Sequence, residues 1–144
     1  MATSHDLKVT KLIKAPRAKV FAAWTTPEIM QQWFFPLGMT VTHAEQDIRV
    51  GGKFRATMTG PRGTSTVFGV YREIVDGERL VFTHAWDEGD RRETLVTVEL
   101  ADRTGGTEVT VIHTGLATPE SAKGHQEGWA STLENLEQYL RRSQ

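Results

Sequence analysis

The sequence predicts an α+β fold in which a curved, seven-stranded antiparallel sheet wraps around a long C-terminal helix, with two short helices after strand one. Three observations predict it. Short β-rich runs between Val41 and His113 are separated by regular turn signals. The closing segment carries an apolar stripe at helical spacing. Two helix-start signals fall close together between the first apolar run and the rest.

The first strand is Leu7 to Ile13, rich in β-branched residues and stopped by Ala15-Pro16; residues 1–6 before it are expected to be frayed. From Pro16, a residue suited to the first helical position, Val20, Phe21 and Trp24 share one helical face. Thr26-Pro27-Glu28 starts a second short helix: threonine can cap free N–H groups, proline has none to lose, and glutamate complements the positive helix end. Ile29, Met30 and Trp33 form its apolar face. Six further strands centre on Val41, Phe54 to Met58, Val67 to Ile74, Leu80 to Trp86, Leu95 to Leu100 and Val109 to His113. Gly51-Gly52, Gly60-Pro61-Arg62-Gly63, Asp76-Gly77, Asp87-Glu88-Gly89-Asp90 and Gly105-Gly106 separate them. Asp76-Gly77 reads as a two-residue hairpin turn with positive φ at both positions. Thr118-Pro119-Glu120 opens the last helix, whose stripe is Ala122, His125, Trp129, Leu133, Leu136 and Leu140. Lys123, Glu127, Glu134 and Glu137 mark its wet face, and Arg141 and Arg142 sit at its negative end.

The totals bound the rest. A chain of 144 residues suits a single domain, 1–144, able to bury about 70% of its unfolded surface without staples. It contains no cysteine, which excludes disulfides and thiol nucleophiles and fits a reducing, cytoplasmic setting. The N-terminus has no apolar leader and no run reaches the ~20 residues of a membrane span. Net charge is −1 with acids and bases interspersed, so neither nucleic acid binding nor membrane insertion is expected.

The long helix must lie across the one sheet face large enough to take it. A long antiparallel sheet coils away from a straight helix, which predicts a hollow between them, plugged at one end by the short helices.

Several stretches resemble a known family. They are Ala15-Pro16; Val20-Phe21-Ala22-Ala23-Trp24-Thr25-Thr26-Pro27-Glu28 with Trp33; Asp47-Ile48-Arg49-Val50-Gly51-Gly52-Lys53-Phe54; Gly69-Val70-Tyr71-Arg72-Glu73-Ile74; Glu78-Arg79-Leu80-Val81-Phe82-Thr83; and Gly128-Trp129. Together they resemble the heat-shock protein 90 ATPase-activator homologues of the START and birch-pollen-allergen-like superfamily. The resemblance implies a helix-grip fold with a hydrophobic pocket. It implies no single activity, since members carry lipids or hormones, act as aromatic cyclases, or partner chaperones in the stress response. Eukaryotic activators of this family have an additional N-terminal domain that grips the chaperone, for which these 144 residues are expected to hold no room.

The candidate ligand-binding cavity is lined by Trp33, Phe34, Phe35, Phe54, Met58, Phe82, His84, Trp86, His125 and Trp129. Trp33-Phe34-Phe35-Pro36 is a binding gate or a seal of the core edge. Phe54, Ala56 and Met58 share one strand face, as do Leu80, Phe82, His84 and Trp86. The Trp86 indole could offer its N–H to a polar ligand. His84, His113 and His125 are the weak catalytic candidates, as general bases or as core histidines with backbone partners. No metal-ligand spacing is present and no cofactor is expected. Asp47 and Arg49 are expected to brace a turn, and Gly128 to let the last helix approach the sheet. A small hydrophobic ligand is the expected partner; a chaperone contact, a cyclase or hydrolase activity, and a monomeric or homodimeric state stay open.

Overall fold

The computed structural model describes residues 5–36, 38–87 and 92–142. In chain order the elements are β1 (His5–Ile13), α1 (Arg17–Thr25), α2 (Pro27–Met30), β2 (Thr40–Gln46), β3 (Lys53–Gly60), β4 (Gly63–Val75), β5 (Arg79–Trp86), β6 (Thr94–Arg103), β7 (Gly106–Leu116) and α3 (Pro119–Arg142). The strands form one seven-stranded antiparallel sheet in the order β1-β7-β6-β5-β4-β3-β2. β1 pairs with β7, so α1 and α2 carry the chain from one sheet edge to the other.

Alternation sets the faces. Phe54, Ala56 and Met58 on β3, with Leu80, Phe82 and His84 on β5, are buried on the inner side. Register shifts between Val41 and His43 on β2 and between Tyr71 and Glu73 on β4 bend the sheet. At Gly69 the strands approach so closely that a Cβ would lie 1.8 Å from the Thr83 carbonyl oxygen, which explains the glycine.

Helix α3 lies against β1, with Trp129, Thr132, Leu133, Leu136 and Leu140 buried. Each fully buried leucine contributes about 1.5–3 kcal/mol. Lys11 on β1 reaches Glu134 at 2.9 Å and Glu137 at 3.8 Å, and Asn135 Nδ2 donates to the Phe35 carbonyl at 2.7 Å. The Thr118 hydroxyl caps α3 by accepting the Ser121 N–H at 3.0 Å. No described helix is long and apolar enough to cross a membrane.

Local details differ from expectation. His5 and Asp6 belong to β1: His5 pairs with Leu116, and the Asp6 carboxylate accepts the Gly115 N–H. Residues 1–4 lie outside the described residues. Pro16 precedes α1 in an extended conformation, and Thr26 makes no side-chain cap. Trp33 falls in the turn after α2, which ends at Met30. At Asp76-Gly77 only Gly77 has positive φ, and Glu78 lengthens the connection by donating its N–H to the Val75 carbonyl. A turn with positive φ at its third position alone suffices. Residues 88–90 of the Asp87-Glu88-Gly89-Asp90 turn lie outside the described residues. Glu137 is half-buried beside Lys11 rather than on the wet face, whereas Arg49 donates to Asp47 at 2.7 Å and so braces its turn.

Candidate functional site

The space under the sheet is divided. Beneath α1 and α2, Trp24, Met30, Phe34, Phe54, Tyr71, Leu80 and Phe82 pack into solid core around a gap too small for a water molecule. Trp24 meets Trp33 edge-on at 4.7 Å, and the Trp33 indole donates to the Ala23 carbonyl at 3.1 Å. Under the first half of α3 the sheet and helix separate, leaving a cleft of about 390 Å³ that is open to solvent on one side. The separation follows from geometry: α3 packs along β1, and a twisted antiparallel sheet of seven strands departs from a helix laid along its edge strand.

Each wall comes from a different element. The segment after α2 supplies Phe34, Phe35 and Pro36; β3 supplies Met58; β5 supplies His84 and Trp86; and α3 supplies Ser121, Gly124, His125, Gly128, Trp129 and Thr132. The structure thus brings Phe34, Phe35, Met58, His84, Trp86, His125 and Trp129 of the expected residues to one cleft. Trp33, Phe54 and Phe82 lie instead in the solid core, because Trp33 turns under Ala23 while Phe54 and Phe82 stack with Tyr71. Gly124 and Gly128 were not legible as cleft residues. A Cβ on Gly124 would meet nothing within 4 Å, and one on Gly128 would meet only Pro36 at 4.0 Å. Gly128 therefore opens the cleft rather than drawing α3 onto the sheet. Pro36 falls in the cleft with Phe34 and Phe35 of the expected gate, whereas Ser121 and Thr132 were not anticipated; an i, i+3, i+4 row through Gly124 and Gly128 is the signal that could have found them.

The three histidines converge. Ring centroids lie 4.8 Å apart for His84 and His113, 5.1 Å for His113 and His125, and 5.9 Å for His84 and His125. Their protons follow from their partners. The Trp129 indole, which can only donate, gives its N–H to His113 Nδ1 at 3.0 Å. His113 therefore carries its proton on Nε2 and donates to Thr94 Oγ1 at 2.7 Å, and Thr94 donates onward to the His84 carbonyl at 2.8 Å. Likewise the Trp86 indole donates to His125 Nε2 at 3.3 Å, so neutral His125 donates from Nδ1 to the Ser121 carbonyl at 2.8 Å. The Trp86 N–H is thus engaged within the protein, not offered to a ligand.

His84 is different. It is 4% exposed, and its ring has no hydrogen-bond partner on another residue among those described. Burial, then the neighbouring His113 and His125, push its pKa well below the ordinary 6.5, against a hydrogen bond with its own backbone. Burial, then His125, lower His113 to about 3. Both rings are neutral at physiological pH. Among the described residues no Asp, Glu, Lys or Arg side chain lines the cleft. Among the described residues no set of three His, Asp or Glu is arranged to hold a metal ion.

An antiparallel sheet gripping a C-terminal helix over an aromatic cleft defines a helix-grip protein of the START-like class. A family model described as "Activator of Hsp90 ATPase homolog 1-like protein" matches residues 14–141. The chain belongs to that family, within the superfamily that its sequence motifs resemble. A search of curated proteins finds no match. Solved structures agree in fold. A putative uncharacterized protein from Rhizobium leguminosarum is 28% identical, with a TM-score of 0.85 over 99% of this chain and 97% of its own. A protein from Nitrosomonas europaea is 25% identical, with a TM-score of 0.82 over 96% of this chain and 95% of its own. An AHSA1 protein from Silicibacter pomeroyi is 23% identical, with a TM-score of 0.83 over 97% of this chain and 100% of its own, a likeness of fold alone.

Proposed function

We propose that this chain binds a small, largely apolar aromatic molecule in the cleft between β5 and α3. The observation that carries the reading is the cleft itself. Its volume of about 390 Å³ falls within the range of about 300–1,000 Å³ typical of small-molecule sites, and aromatic side chains with a few polar atoms dominate its walls. The hydrogen-bond pattern favours binding over base catalysis. Both ring nitrogens of His113 and of neutral His125 are committed, and His84 is a poor proton acceptor because its protonated form is disfavoured.

The test is thermal stabilisation by a panel of neutral one- and two-ring aromatics. A ligand at about a hundredfold over its Kd adds about 2.7 kcal/mol of stability. Gly128→Leu, which projects a side chain from the cleft wall, should abolish the effect while the variant keeps its native circular dichroism. If no compound in the panel stabilises the wild type, the reading is wrong.

A further inference from the structure

Of the polar atoms around the cleft, most are spoken for. Trp86 and Trp129 give their N–H groups to His125 and His113. Thr132 donates back to the Gly128 carbonyl at 2.8 Å, and the Ser121 hydroxyl lies 3.4 Å from His125 Nδ1. The exception is the ring of His84, nine-tenths buried and more, set in the cleft wall without a partner on another described residue. Burial, with His113 and His125 close by, keeps this ring neutral. A neutral imidazole has one N–H and one lone-pair nitrogen, so the ring presents an acceptor that no other described residue meets.

An acceptor in an apolar wall selects for a donor, because leaving it unpaired beneath a bound apolar guest forfeits its contact with water. The surroundings set the charge of that guest. With no Asp, Glu, Lys or Arg among the described lining residues, a carboxylate or an ammonium would be desolvated without a counter-ion from them. The cation to consider is Arg92, which lines a neighbouring depression of about 160 Å³ that shares His84, Trp86, Ser121 and His125 with the cleft; its guanidinium donates to the Gly115 carbonyl at 3.3 Å.

We propose that the cleft selects a neutral aromatic molecule bearing one hydroxyl, a phenol-like group that donates its hydrogen to the ring of His84. The inference rests on the cleft being a binding site and specifies what it prefers. A phenol keeps its proton at neutral pH, as tyrosine does with a pKa of about 10, so it meets both conditions. His84 is then the specificity-determining residue, and Trp129 and Phe35 provide the apolar bed.

The experiment is equilibrium dialysis of the purified chain at neutral pH with four two-ring probes: 2-naphthol, naphthalene, 2-methoxynaphthalene and 2-naphthoate. The hydroxyl should strengthen binding about tenfold over naphthalene and over the methoxy compound, the worth of one hydrogen bond that replaces an unpaired acceptor. The carboxylate should bind more weakly than naphthalene or 2-methoxynaphthalene. His84→Leu should bring 2-naphthol to within about twofold of naphthalene, both measured on that variant. Equal binding of 2-naphthol and 2-methoxynaphthalene overturns the inference and leaves the cleft reading standing. So does preferential binding of 2-naphthoate, which would point to Arg92. Full retention of the hydroxyl preference in the His84→Leu variant removes the role of His84. Binding of none of the neutral probes overturns the cleft reading and this inference with it.

Discussion

Replacing Trp129 by phenylalanine tests the hydrogen-bond chain that fixes the cleft. The indole N–H is the donor to His113 Nδ1 at 3.0 Å, and both residues are buried. Phenylalanine keeps an aromatic ring but strands that acceptor, a loss of about 1–3 kcal/mol. The smaller ring also gives up about 1 kcal/mol of apolar burial, so the expected destabilisation is about 2–4 kcal/mol. With an unfolding entropy of about 2.1 cal/mol/K per residue, a chain of this length loses about 3 °C in Tm per kcal/mol, hence about 7–13 °C. Calorimetry reads the shift, and a double-mutant cycle with His113→Phe isolates the bond, with an expected coupling of about 1–2 kcal/mol. Nitrogen NMR adds a second readout, because the loss of a bond to the neutral form should raise the His113 pKa from about 3. A coupling under about 0.5 kcal/mol, or an Nδ1-protonated His113 in the wild type, would refute the chain of donors.

Acid should unfold the protein through its buried histidines. Unfolded imidazoles titrate near 6.5, whereas His113 is held at about 3 and His84 well below its ordinary value, so the unfolded state binds more protons. Stability is therefore fully present above the unfolded value and falls as pH drops through 6.5 toward 3, by about 1.4 kcal/mol per pH unit for His113. Urea titrations across this window should show the slope, and His113→Phe should flatten it. Gly124→Ala should stabilise the chain by about 0.5–1 kcal/mol, since it removes a helix-interior glycine into open space; an unchanged or lower Tm would contradict the space seen there. Asn135→Ala, which removes the 2.7 Å bond to the Phe35 carbonyl, should cost about 1 kcal/mol and speed amide exchange around Phe34 and Phe35 by hydrogen–deuterium exchange.

The order of elements was legible because each announces itself locally: period-two burial in Phe54, Ala56 and Met58, period-three-and-four burial from Trp129 to Leu140. The cleft was legible only in part. Trp33, Phe54 and Phe82 look like cavity residues in sequence, since an inward aromatic reads the same whether it faces a hollow or another ring. Which it meets is decided by where α3 stops touching the sheet, a global property of twist that no window of residues contains. The protonation of the histidines was equally hidden. His113 and Trp129 are 16 positions apart, and His125 and Trp86 are 39 apart, so the pairs that settle each tautomer exist only after folding.

The two halves of the interior obey opposite demands with similar residues. Beneath α1 and α2 the rings of Trp24, Trp33 and Phe34 meet edge-on and leave no usable space. Along the start of α3, two cleft-lining positions one turn apart, Gly124 and Gly128, carry no side chain at all. Each costs the helix about 1 kcal/mol relative to alanine, a weakness that packing alone would not favour. Alanine at Gly128 meets only ordinary van der Waals contact with Pro36, so sterics do not demand the glycine there either. Helix propensity given up twice along the wall of the hollow, and one imidazole nitrogen there without a partner on another described residue, are what the proposal of a guest in the cleft explains and packing does not.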